Sequence, residues 1–139
     1  MPYRVRPAGT GDAAAVLELW RVADAVPSAT DDRPALELLL ARAPEGLLVA
    51  ETDDAAVIGS VVAVFDGWRA NLYRLAVHPE HRRRGVATAL VENAERRLRA
   101  AGGRRISALV VHDHADAVAC WAALGYEPDR RVTRSVKTL

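Results

Sequence analysis

Cysteine, lysine and aromatic side chains are nearly missing from this 139-residue chain, and each shortage excludes something. Cys120 is alone, so no intramolecular disulfide can form and a reducing compartment is expected. Its place in an apolar helical run makes it a buried structural thiol rather than a nucleophile. Lys137 is the only lysine among 19 basic residues. The formal net charge is +1, which argues against a general nucleic-acid binder, whose basic excess should spread across a face. No apolar run approaches the ~20 residues of a membrane span, and residues 1–6 lack the apolar core of a signal peptide. A soluble, cytoplasmic, globular protein is therefore expected. Its length fits one domain over residues 1–139, large enough to bury a real core.

What is present is a dense alternation of apolar runs and turn signals. Residues 3–6 read as a short strand, and Thr10 or Asp12 can cap a helix whose apolar side is Ala15, Val16, Leu19, Trp20 and Ala23. A second helix is predicted over 34–43. Strands at 47–51 and 57–65 flank the polar Thr52-Asp53-Asp54 and read as a hairpin. A turn at Asp66-Gly67-Trp68-Arg69 leads into a strand ending at Val77, then a long helix, a strand at 105–111, a helix at 115–124 and a last strand at 131–136. The order β-α-α-β-β-β-α-β-α-β predicts an α/β fold with a mixed central sheet, largely antiparallel in its first half, with one β-α-β crossover in the second.

The most informative stretch is Leu72-Tyr-Arg-Leu-Ala-Val-His-Pro-Glu-His-Arg-Arg-Arg-Gly-Val-Ala87, in which an extended segment runs into a basic turn and then a helix. The first amides of a helix lack intrahelical partners and carry the positive end of its dipole, so an anion is stabilised there. Arg82, Arg83 and Arg84 strengthen that field. Gly85 lets the backbone take positive φ and approach a diphosphate, and the small Ala87 keeps the first turn accessible. Val86 and Thr88 complete the turn. Downstream, Leu90, Val91, Ala94 and Leu98 recur at helical spacing, Glu92/Arg96 and Glu95/Arg99 are i,i+4 pairs, and Gly102-Gly103 ends the helix.

Arg82-x-x-Gly85-x-Ala87 resembles the Arg/Gln-x-x-Gly-x-Gly/Ala signature of the GCN5-related N-acetyltransferases, the GNAT family, and the element order matches that fold over essentially the whole chain. The resemblance implies an acetyl-CoA cosubstrate, its pyrophosphate held by the 82–88 turn and its pantetheine arm paired with the backbone of Leu75, Ala76 and Val77. It implies acetyl transfer to an amine of a small molecule, an amino acid or a protein N-terminus, by direct attack in a ternary complex. It also places His114 where the family has a cofactor-holding Asn.

Two departures bear on the chemistry. The family's tyrosine acid falls on Trp121, whose indole N–H donates a hydrogen bond but cannot give up its proton usefully. A core tryptophan is the plainer role for it. The place of a carboxylate base falls on Asn71, which can only position water. A period of two puts Asn71, Tyr73 and Leu75 on one face. Tyr73 is then the candidate acid and Asp66 a distant base acting through water, with Arg69 a clamp for an acceptor carboxylate. Trp20 and Trp68 are candidate walls of the acceptor pocket. The alternative is a catalytically weak acyl-CoA-binding or regulatory domain of the same fold. Neither nucleic acid nor membrane is an expected partner, and the pattern leaves room for a homodimer.

Two further patterns are set aside. Gly9-x-Gly11-x-x-Ala14 imitates a dinucleotide fingerprint, but its short, Arg-containing strand is unlike a buried parallel one. His78, His81, His112 and His114, with Asp113 and Asp116, could be assembled into a metal site, but the histidines are read as loop residues and no metal is expected, with Pro79 opposing a chelating turn and Asp113 a helix cap.

Overall fold

The computed structural model describes residues 2–111 and 115–139. The elements are β1 (Tyr3–Pro7), α1 (Ala13–Val22), α2 (Arg33–Arg42), β2 (Leu47–Thr52), β3 (Val57–Phe65), β4 (Ala70–Val77), α3 (Val86–Ala101), β5 (Ile106–Ala108) and α4 (Ala115–Ala123), with short 3-10 turns at Thr10–Asp12 and Pro79–His81. The strands form one sheet in the order β1-β2-β3-β4-β5. The first four are antiparallel neighbours, and β5 joins β4 in parallel after the α3 crossover. No helix among the described residues is long and apolar enough to cross a membrane.

Apolar residues on the two faces of the sheet make two cores. On one face Val86, Leu90, Val91, Ala94 and Leu98 of α3 cover Leu48, Ala50, Ile58, Val61, Ala63, Ala70 and Leu72, and Trp121 of α4 closes the end. On the other, Val16, Leu19 and Trp20 of α1 with Leu36 and Leu40 of α2 cover Leu47, Val49, Val62 and Ala76. Each fully buried leucine contributes roughly 1.5–3 kcal/mol of transfer free energy. Gly59 sets how closely α3 approaches, because a Cβ there would stand 2.8 Å from Val86 Cγ1 and 2.9 Å from Leu90 Cδ1.

Side chains fix the ends of α1 and α2. The Asp12 carboxylate accepts from the Gly9 amide at 2.8 Å and from both Arg6 nitrogens at 2.8 and 2.9 Å. Arg6 also reaches Glu51 on β2 at 2.6 Å. These bonds hold the Asp12 carboxyl below its ordinary range and tie the start of α1 to the β1 edge. Asp32 caps α2 by accepting from the Ala35 amide at 2.9 Å.

Two expectations change. The strand expected at 131–136 does not form: the segment is irregular and exposed, with Val132 and Val136 69% and 74% accessible. Two valines among arginines and hydroxyls offer too little apolar surface to offset the entropy of ordering. The strand expected at 105–111 shrinks to Ile106–Ala108, so β5 offers only a three-residue edge for pairing. The exposed pairs also differ, since Glu95 accepts from the Tyr126 hydroxyl at 2.8 Å and Arg97 from α3 pairs with Glu45 at 3.4 Å. Neither Glu92/Arg96 nor Glu95/Arg99 closes to an ion pair among the described residues.

Candidate functional site

The site is built on β4, whose two halves are paired differently. Ala70, Asn71 and Leu72 stand opposite Ile106, Ser107 and Ala108 of β5, and the Leu109 amide donates to the Leu72 carbonyl at 3.3 Å. Beyond Leu72 no described residue of β5 continues the ladder. The stretch from Tyr73 to Val77 keeps its partner on β3, and among the described residues no strand pairs with its other edge. An extended chain laid along that edge would meet backbone donors and acceptors that no described strand takes up.

A bulge lies at the start of the open half. Between Ser60 and Val62 β3 advances two residues while β4 passes from Ala76 to Tyr73, so Arg74 and Leu75 together oppose Val61. Arg74 takes a left-handed φ of 54°. The extra residue reverses the alternation: Ala70, Leu72, Leu75 and Val77 pack toward α3, whereas Tyr73 and Ala76 pack toward α1 and α2. The expected shared face of Asn71, Tyr73 and Leu75 is therefore corrected, because a single inserted residue breaks the period of two.

At the C-terminal end of β4 the chain passes through Pro79–His81 into the basic turn. His78 Nδ1 accepts the Glu80 amide at 3.1 Å, so this histidine organises the turn. Arg83 has φ 64° and Gly85 φ 77°, with Arg84, which is not left-handed, between them. Such alternation turns successive amides inward, the geometry of an anion-binding concavity. Gly85 is the N-cap of α3 and offers no side chain to its first amides. The N–H groups of Val86, Ala87 and Thr88 thus lack a capping side chain at the positive end of a 16-residue helix. A Cβ on Gly85 would meet nothing within 4 Å, so glycine is required there by the backbone angle rather than by crowding. Arg82, Arg83 and Arg84 are exposed and form no ion pair among the described residues; Arg82 Nε donates to the Val77 carbonyl at 3.4 Å. Uncapped amides and unneutralised guanidinium groups together fit a doubly charged diphosphate.

At the other end of β4 the turn expected to supply a base and a clamp is accounted for differently. The Asp66 carboxylate accepts from the Arg69 amide at 2.7 Å and the Trp68 amide at 2.8 Å. Those two bonds hold it below its ordinary carboxylate range, which weakens it as a base. The Arg69 guanidinium lies 4.2 Å above the ring of Trp68, itself 78% exposed. Both line a shallow cleft of about 280 Å³ with Arg104, Arg105 and Ser107. The eight residues of β4, roughly 20 Å of strand, separate this cleft from the basic turn. Asp66, Arg69 and Trp68 are therefore not assembled with Tyr73 and the turn, because they precede the paired half of β4 and not the open one.

Trp20 is likewise not an open pocket wall. It is 5% exposed, and its indole N–H donates to Ser60 Oγ at 2.9 Å, which in turn donates to the Arg74 carbonyl at 2.9 Å. Asn71 is half-buried and stands between Val64 and Ser107 in the paired half. Trp121 is 6% exposed and meets Tyr126 edge to face at 5.0 Å, a core position. Burial, and then the bond to Glu95, push the Tyr126 hydroxyl far above its ordinary range, so it stays protonated. Cys120 is half-buried, and burial raises its thiol, which suits a structural residue. His114, with His112 and Asp113, lies outside the described residues.

Sequence reasoning missed Arg74 and Asp31. The Arg74 guanidinium donates to both Asp31 oxygens at 2.7 and 2.6 Å and to the Val26 carbonyl at 2.8 Å, and it lies 5.2 Å from the Trp20 ring centre. The signal available was a single charged residue inside β4 and a single polar side chain inside β3.

Comparison with known proteins bears on this arrangement. The acetyltransferase (GNAT) family model matches residues 13–126. An acetyltransferase of Pectobacterium atrosepticum is 35% identical over 116 residues, covering 84% of this chain and 82% of the relative. The crystal structure of Ard1 from Thermoplasma volcanium superposes with a TM-score of 0.79 at 19% identity, over 90% of this chain and 82% of that one. The diaminobutyrate acetyltransferase of Paenibacillus lautus, solved with L-2,4-diaminobutyric acid and coenzyme A, gives a TM-score of 0.71 at 20% identity, over 88% of this chain and 74% of that one. At these identities the two structures establish the shared fold.

Proposed function

The chain belongs to the GNAT family of acetyltransferases, and we propose that it carries an acetyl group from acetyl-CoA to the primary amine of a small molecule, by direct attack within a ternary complex. The observation that carries this reading is the uncapped start of α3, with left-handed Arg83 and Gly85, at the end of the open half of β4. The amides of residues 83–88 and the side chains of Arg82, Arg83 and Arg84 hold the pyrophosphate. The backbone edge of Leu75, Ala76 and Val77 pairs with the pantetheine amides. His114 is retained as a further cofactor contact. The diaminobutyrate acetyltransferase, whose substrate is a small amine, supports the acceptor class.

The neutral amine nitrogen attacks the thioester carbon, its extra proton passes to water, the C–S bond breaks as the adduct collapses, and the departing thiolate takes a proton from water or from Tyr73, which water then reprotonates. Tyr73, the first β4 residue past the β5 ladder, is assigned to the thioester end of the cofactor. β4 carries no carboxylate, so the amine has to arrive neutral or lose its proton to solvent. Catalysis then comes chiefly from holding thioester and amine in a fixed attack geometry, worth on the order of 7–11 kcal/mol. Calorimetry with coenzyme A and thiol release from acetyl-CoA with a panel of amines test the reading. Binding with no amine-dependent release would leave a coenzyme A-binding domain; no binding would remove the reading altogether.

A further inference from the structure

The loop between α1 and α2, residues 23–32, has no regular structure apart from its turns, yet it is anchored at one point of the sheet. The Ser28 amide donates to Asp31 Oδ2 at 2.9 Å and the Asp31 amide donates to the Ser28 carbonyl at 3.2 Å, closing a turn. The same Asp31 carboxylate takes both bonds from Arg74, at 2.7 and 2.6 Å. The two side chains are only 18% and 22% exposed, so solvent screens the pair weakly. A further Arg74 nitrogen holds the Val26 carbonyl at 2.8 Å, and the guanidinium rests against the Trp20 ring. The backbone of Arg74 is held separately, its carbonyl taking the Ser60 hydroxyl that is itself fixed by Trp20.

One residue is thus over-determined from two directions at the bulge, just past the point where β4 leaves the β5 ladder. A left-handed φ in a non-glycine residue persists only where its surroundings impose it, and such positions gather at functional sites. Val26, whose carbonyl is held, is an apolar side chain left 52% exposed beside this anchor.

We propose that Arg74 and Asp31 are positioning residues for the acceptor: their ion pair holds the 23–32 loop against the open half of β4 as the wall on which the amine is placed. The proposal rests on the acetyl-transfer reading for the identity of the acceptor, but the clamp itself does not. The Arg74 side chain bonds only to Asp31 and Val26 among the described residues and not to the basic turn, so removing the pair should change the amine KM far more than cofactor affinity.

Asp31→Asn keeps the shape and removes the charge, and Arg74→Lys keeps the charge and loses the planar fork. Hydrogen exchange tests the clamp alone: the Asp31 amide, which donates to the Ser28 carbonyl and not to the carboxylate, should exchange at least about tenfold faster in Asp31→Asn and in Arg74→Lys, while amides at 89–98 in α3 stay within about twofold. Thiol release from acetyl-CoA, with n-butylamine and L-2,4-diaminobutyrate as probes, tests the link to the acceptor. Both variants should raise the amine KM about tenfold or more, with kcat at saturating amine and the coenzyme A Kd within about threefold. Unchanged loop protection in Asp31→Asn would overturn the clamp whatever the acceptor is. A loosened loop with an unchanged amine KM, or a coenzyme A Kd rising in step with it, would overturn the positioning role. Failure of the wild-type protein to bind coenzyme A or to use either amine would count against the acetyl-transfer reading, and the exchange result would still decide the clamp.

Discussion

The two ends of β4 contain similar kinds of residue and do different things. At the paired end, Asp66, Trp68 and Arg69 are satisfied among themselves: the carboxylate closes its own turn and the guanidinium lies over the indole. At the open end the side chains of Arg82, Arg83 and Arg84 meet no carboxylate among the described residues, and the first amides of α3 lack a capping side chain. The difference teaches that reactive-looking residues are poor guides to a site when their bonding is closed. The better guide is backbone whose hydrogen bonds are left open in a folded sheet, because such groups are costly unless water or a ligand meets them.

The sharpest way to break this comparison is to close the open end. Gly85→Glu forces a side chain onto a left-handed position and brings a negative charge to the turn proposed to hold the pyrophosphate. The coenzyme A Kd measured by calorimetry should rise at least about 100-fold, equivalent to ~2.7 kcal/mol. A Kd within about threefold of wild type would move the cradle elsewhere.

Next in size is the proton delivered to the departing thiolate. Tyr73→Phe should lower kcat by about 100-fold if Tyr73 is the acid. Trp121→Phe should lower the melting temperature, since Trp121 fills the core against Tyr126, while sparing kcat. Equal and severe loss of kcat from both would mean that the pocket has collapsed and that Tyr73 holds no special role.

A pH profile sharpens the contrast further. Asp66, held below its ordinary carboxylate range by two amides, is ionised well below neutrality. It can therefore give no inflection near neutral pH. With no carboxylate on β4, the acid limb of kcat/KM should follow the acceptor's own ammonium, falling about tenfold per pH unit below that pKa. Replacing the amine by a less basic one should shift the limb to lower pH by the difference between the two pKa values. A limb that stays fixed as the amine is changed would reveal a protein base.

The smallest effect is expected at the closed end itself. Asp66→Asn keeps an oxygen for the two turn amides and removes only the charge, so kcat/KM should stay within about twofold. A loss of tenfold or more would restore Asp66 to the chemistry and undo the distinction between the two ends.

The basic turn was legible in the sequence because its signals are local. An arginine cluster, a glycine at a helix start and a 3.6-residue apolar period need no distant partner to be understood. The order of the elements through α4 was legible for the same reason, since hydrophobic period and turn chemistry are read within short windows. The bulge in β4 was not, because one inserted residue is silent in composition yet moves Leu75 to the opposite face from Tyr73. The Arg74–Asp31 pair joins positions 43 residues apart, and the chain alone does not say which of its many carboxylates that arginine will meet. Asp66 and Tyr73 are seven residues apart, but an extended strand carries them away from each other. The segment at 131–136 alternates like a strand but buries almost nothing. Local sequence determined which segments fold and where a basic turn meets the start of a helix. Tertiary packing decided where the β5 ladder ends, which charges cancel and which loop is held against β4, because those outcomes depend on pairings between segments that no single window of the chain contains.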